Sequence, residues 1–90
     1  MFSIILSSFA EIDLQETNEY YSQISENLND LFWEQLDVTV FRIKQNPQQF
    51  QLRYKNVRIA FFETLPFGIH FEIDENLIKI IRILHTKRNF

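Results

Sequence analysis

The chain has 90 residues, a net charge of −3 and an apolar fraction of 46%, which suffices for one core and leaves no chain for a second. One Gly and two Pro argue against disorder, and ten Phe, three Tyr and one Trp supply the bulk that a small core needs. The absence of Cys excludes disulfides, thiolate metal sites and a cysteine nucleophile, and a count of two His argues against a zinc site. A single domain over residues 1–90, with no metal and no cofactor, in a reducing, cytoplasmic setting, is the expectation.

Residues 1–10 are apolar, but they lack the basic flank of a signal peptide and run at once into Glu11 and Asp13. They are also too short to span a bilayer, so no membrane partner is expected. Phe2, Ile4 and Leu6 alternate with Ser3, Ile5 and Ser7, which predicts a first strand buried largely on both faces. Ser8-Phe9-Ala10-Glu11 has the spacing of a capping box and predicts a helix to about Ser25, with Leu14, Thr17, Tyr21 and Ile24 on one face.

A second helix is predicted from Glu26 or Asn27 to just before Asn46-Pro47, where the ring of Pro47 ends it. Leu28, Phe32, Leu36, Thr39 and Ile43 form its inner stripe. Trp33, Val40 and Phe41 widen the apolar arc and predict cover on more than one side. The short turn between the helices makes them antiparallel neighbours.

The remainder reads as strands: Phe50 to Arg53, a turn at Tyr54-Lys55-Asn56, Val57 to Thr64, and a break at Leu65-Pro66. Phe67, Ile69, Phe71 and Ile73 then alternate strictly with Gly68, His70, Glu72 and Asp74. After a turn at Asp74-Glu75-Asn76, Leu77 to Leu84 forms a last strand whose parity slips between Ile80 and Ile83, as at a bulge. The fold class is α+β: an antiparallel helical hairpin packed on a mainly antiparallel sheet, in the order β-α-α-β-β-β-β.

Charge divides along the chain. Residues 1–41 hold eight acidic residues and no Lys or Arg, whereas residues 42–90 hold nine basic and four acidic ones. Glu26, Asp30, Glu34 and Asp37 fall along one face of the second helix, where like charges at i, i+4 cost about 0.2–0.5 kcal/mol per pair. That ridge is the expected contact for a partner bearing Lys or Arg. Arg53, Lys55, Arg58, Lys79, Arg82, Lys87 and Arg88 fall on the strands and the tail, so the helical layer is acidic and the sheet layer basic.

No phosphate loop, His pair or metal-ligand cluster is present. The group that carries chemistry on paper is Arg58, His85 and Arg88: arginines neutralise a phosphate and His moves a proton near neutral pH, as RNA cleavage by an attacking 2′-hydroxyl requires. Arg53, Tyr54, Lys55, Arg82 and Lys87 are the expected target-binding or nucleic-acid-binding residues around it. The structural alternative pairs Arg82 and Arg58 with Glu72 or Glu63 across strands, leaves His85 closing the sheet edge, and makes His70 an ordinary exposed or half-buried residue.

The order of these segments is also familiar. Glu11-Ile12-Asp13-Leu14, Tyr20-Tyr21, Phe32, Leu36 and Ile43-x-x-x-Pro47-x-x-Phe50 resemble the first half of a RelE/ParE-superfamily toxin. Arg58-x-Ala60, Leu65-Pro66-Phe67-Gly68-Ile69-His70-Phe71 and Ile78-x-Ile80-x-x-Ile83-Leu84-His85-x-x-Arg88-Asn89 resemble its second half. The resemblance implies the toxin of a bacterial type II toxin–antitoxin pair, of the plasmid-stabilisation kind, wrapped and silenced by a cognate antitoxin protein. It implies one of two targets: mRNA cleaved on the ribosome, as in the RelE-like branch, or DNA gyrase inhibited, as in the ParE-like branch. The chain's ending and its Leu65-Pro66-Phe67 break are closer to the ParE-like pattern. A domain that keeps the fold without toxicity is the rival from another class.

Overall fold

The computed structural model describes residues 2–87. Its elements are β1 (Ser3–Leu6), α1 (Ser8–Ile24), α2 (Glu26–Gln45), a 3-10 turn (Pro47–Gln49), β2 (Leu52–Tyr54), β3 (Val57–Phe61), β4 (Phe67–Asp74) and β5 (Leu77–His85). The strands form one sheet in the order β1-β5-β4-β3-β2. β1 runs parallel to β5 and the other pairs are antiparallel, as the connections dictate.

Local chemistry sets the helix ends. Ser7, one residue before the expected cap, accepts the Ala10 N–H at 3.0 Å and also donates to Ile81 O at 2.7 Å, so one hydroxyl starts α1 and ties it to β5. Ser25 ends α1 and caps α2 in the same step, accepting from Leu28 N–H. This one-residue junction folds the helices back on each other. Asn18 Oδ1 then accepts from both Asn29 Nδ2 (3.1 Å) and Trp33 Nε1 (2.9 Å) across the hairpin.

The core lies between the helices and one sheet face. Phe32 is its centre, with ring centroids of Phe67, Phe62 and Trp33 at 5.0, 5.5 and 5.6 Å. Ile69, Phe71, Ile78, Ile80 and Ile83 line the sheet side, and Leu36 and Ile43 the α2 side. The parity slip in β5 is present: His70 pairs with Arg82 while Phe71 pairs with Ile80, leaving Ile81 as the extra residue.

Two expectations about burial are corrected. β1 is not buried on both faces; it is the outermost strand, with one neighbour, so Ile5 is exposed on the face that the helices leave bare and Leu6 at the margin of the face they cover. The cover over α2 is narrower than its apolar arc: the sheet and, at Trp33, α1 cover it, and its third side is bare. Phe41 and Val38 face outward, because the molecule has a single sheet and nothing stands beyond the helices. Among the described residues, no helix is long and apolar enough to cross a membrane.

Candidate functional site

The sheet edge beside α1 has an unusual construction. β1 ends at Leu6 while β5 continues to His85, so the last part of β5 has no strand on its outer side. The chain closes the gap from the helix. The Asp13 carboxylate, 8% exposed, accepts from Ile83 N–H at 2.9 Å and from Arg82 Nε and Nη2 at 2.8 and 3.0 Å. A carboxylate in the inner row of α1 thus replaces a missing strand, and its charge is met by a bidentate guanidinium. That hydrogen bond is the main reason the Arg82 pKa is raised above its ordinary value, against the opposing pull of burial. Beyond Asp13 the edge is open: Thr86 N–H donates inward to Pro66 O, and strand alternation turns the His85 N–H and Ile83 C=O outward.

A groove of about 640 Å³ runs between this open edge and α1. Tyr20, Tyr21, Ile24, Leu28, Phe67 and Ile83 give it apolar walls, and Asp13, Glu16, His85 and Lys87 line its polar parts. Tyr20 and Ile24 are more than half exposed, on the flank of α1 that faces away from α2. Burial is the larger reason that the Tyr21 hydroxyl titrates above its usual range, with neighbouring Tyr20 adding to it.

At the far edge of the sheet, the β2–β3 hairpin places side chains on the face that the helices leave bare. Tyr54 Oη and His70 Nδ1 share a hydrogen bond of 2.8 Å, with their rings 5.9 Å apart. His70 is fully buried, contrary to the expectation of an exposed or half-buried residue, with the Tyr54 side chain against it on a face that alternation alone marks as solvent. Burial first, and Arg82 second, lower its pKa, while Asp13 opposes them, so His70 is neutral at physiological pH. Burial likewise raises the Tyr54 pKa. Arg53 lies over the Phe61 ring at 5.4 Å, and Lys55 occupies the turn with a positive φ of 48°. β3 reaches over Gly68: a Cβ there would come within 2.9 Å of Ile59 Cγ2, so the close approach needs glycine.

The expected Arg58–His85–Arg88 group is not brought together within the described residues. Arg58 stands opposite Phe71 and His85 opposite Phe67, on strands either side of β4. Four residues of strand and two strand spacings put them roughly 16 Å apart. Arg58 Nη1 donates to Phe50 O at 2.6 Å and to Gln48 O at 3.5 Å, so its guanidinium holds the chain leading into β2. His85 packs edge-on against Phe67 at 5.3 Å, and its Nδ1 accepts from Lys87 N–H. Arg88 lies outside the described residues. The alternative pairing of Arg82 and Arg58 with Glu72 or Glu63 is absent too; Arg82 goes to Asp13, and the sheet's cross-strand ion pair joins Lys79 and Asp74 at 3.5 Å.

The basic set therefore splits. Lys87 and His85 face the groove, Arg82 is engaged at the edge, and Arg53, Tyr54 and Lys55 form the hairpin at the opposite side. Glu26, Asp30, Glu34 and Asp37 all stand exposed on the outer face of α2. Among the described residues, no group of three or more His, Cys, Asp or Glu is arranged to hold a metal ion. Asp13 was missed by sequence reasoning, although a carboxylate at i+3 from Ala10 and i−4 from Thr17 sits in the inner row and signals a buried partner.

A family model described as the ParE toxin of the type II toxin–antitoxin system parDE matches residues 4–90. The chain belongs to this toxin family. Its fold is similar to that of a chain from the chromosomal ParDE system of P. aeruginosa, with a TM-score of 0.81, 22% identity, and coverage of 97% of this chain and 98% of that one. It is also similar to a chain of the intact E. coli RelBE toxin–antitoxin complex, with a TM-score of 0.67, 13% identity, and coverage of 98% and 100%. No curated protein sequence matches the chain. The toxin's helical hairpin and five-stranded sheet are thus those of the RelE/ParE superfamily, and its class is a type II toxin–antitoxin toxin.

Proposed function

We propose that this toxin arrests growth by binding DNA gyrase, without cutting RNA, and that a cognate antitoxin silences it from the groove beside α1. One observation carries the choice of target. Two of the arginines that would grip a phosphate in the nuclease reading are held by the chain itself, Arg58 by backbone carbonyls and Arg82 by Asp13, and His85 is far from Arg58. A phosphate-neutralising, proton-moving centre needs these groups free and convergent. Inhibition by occupancy needs neither. The hairpin residues Arg53, Tyr54 and Lys55 are the target contact in this reading: they are exposed and lie across the sheet from the groove.

The groove suits the antitoxin. Its outward His85 N–H and Ile83 C=O offer main-chain pairing to an extended segment, and Tyr20, Ile24 and Leu28 offer aromatic and aliphatic walls for its anchors. The exposed ridge of Glu26, Asp30, Glu34 and Asp37 contributes steering of a basic segment toward the helical layer.

The test uses purified toxin in two reactions. Supercoiling by gyrase is expected to stop while transcripts in a translating ribosome mixture stay full length. Ribosome-dependent cleavage with supercoiling intact would overturn the gyrase reading. Normal growth on induced expression, with both reactions unaffected, would overturn toxicity itself.

A further inference from the structure

The sequence and the surroundings of β1 disagree. Residues 1–10 carry no charged side chain and alternate as a doubly buried strand does, yet Ile5 and Leu6 are 48% and 37% exposed. On α1, which begins just after this strand, Phe9 is 65% and Ile12 50% exposed. The backbone is open as well. Ser3 N–H donates to Asn76 O and Ser7 N–H to Ile80 O, so the parallel ladder turns Ser3, Ile5 and Ser7 toward β5 and leaves the polar groups of Ile4 and Leu6 pointing outward. The other edge of the sheet is protected: β2 has three residues, an irregular register, and Arg53 and Lys55 at hand. Irregularity and cations are devices that keep an edge from pairing; β1, four residues long, has no charge, no Pro and a regular register.

We infer that β1 pairs antiparallel with β1 of a second copy of this chain about a two-fold axis, covering Ile5, Leu6, Phe9 and Ile12 of both copies. An identical open edge satisfies the outward groups of Ile4 and Leu6 reciprocally, as an isologous interface must. An uncharged edge selects no charged partner. The four side chains expose on the order of 400 Å² per copy, and with the backbone two copies reach about 1,000 Å², where specific interfaces begin. Glu16, one turn beyond Ile12, borders the patch with like charge on each copy. The pair therefore tightens as salt rises, opposite to a contact steered by unlike charges.

Sedimentation equilibrium of the toxin without antitoxin tests this. From about 1 to 200 μM the mass is expected to move from 11.0 kDa toward twice that value. The midpoint shifts to lower concentration in high salt, and amide exchange at Ile4 and Leu6 slows as concentration rises. Phe9→Asp and Ile5→Lys, made separately at exposed positions, each weaken the dimer at least about tenfold with thermal stability retained, whereas Phe41→Asp on α2 leaves it intact. An 11.0 kDa species at every concentration, or a dimer that survives both β1-side variants, overturns the inference.

Discussion

The two sides of the sheet solve the same problem, an unfinished face, in different ways. Beside α1 the strand layer stops early, and a side chain, Asp13, stands in for the backbone that is missing. The result is a groove whose floor is a strand edge and whose wall is an exposed aromatic and aliphatic flank. At the other edge the β2–β3 hairpin extends the sheet and sets Tyr54 on His70 and Arg53 on Phe61 across the bare face. One edge is left open, and the other carries Arg53 and Lys55. Under the proposed function, control by a partner and contact with a target sit at separate edges of a domain this small.

The largest expected effect breaks the first solution. Asp13→Ala strands the Ile83 N–H and releases Arg82, which is 40% exposed along its side chain and so recovers part of the loss in water. The expected cost is about 2–3 kcal/mol, read from the denaturation midpoint at neutral pH. A cost under about 0.5 kcal/mol would mean the edge needs no substitute strand.

A smaller effect sharpens the second solution. The folded pKa of His70 lies below its ordinary value of 6.5, so the unfolded chain takes up the proton first as pH falls. The neutral ring's contribution is whole above about pH 6.5 and is lost progressively toward the lower folded pKa, with a slope of at most about 1.4 kcal/mol per pH unit. Urea unfolding at pH 7.5 and 5.5 should show this loss, and His70→Gln should flatten it. An equally steep fall in His70→Gln would assign the pH dependence elsewhere.

The smallest effect concerns rate rather than affinity. Asp30→Lys with Glu34→Lys should slow antitoxin association several-fold at low salt, with the gap closing as salt screens the ridge. Unchanged association at low salt would make the ridge a solvated face.

Much of the fold was legible because it is written in local periods. The alternation of Phe67 to Asp74 places β4, the slip between Ile80 and Ile83 places the bulge, and Pro47 ends α2. What failed depended on topology. β1 carries the residues of a central strand and occupies an edge, because strand order is not a property of any one segment. Arg58 and His85 looked adjacent as chemistry, but register sets them on either side of β4 and four residues apart along it. The partner of Asp13 lies 69 residues away, and the cover over His70 comes from a hairpin that its own strand cannot announce. The resemblance near the C-terminus led to the family because it rested on the joint spacing of many weak motifs.

The division of labour between the two sides is tested most directly by growth on induction of toxin together with its antitoxin. With wild-type toxin, co-expressed antitoxin should restore growth. A Tyr20→Ala, Ile24→Glu toxin, altered only at exposed groove positions, should stay toxic and no longer be rescued, with antitoxin affinity weakened about a hundredfold. Growth restored as fully as with the wild-type toxin would contradict the groove as the antitoxin's seat.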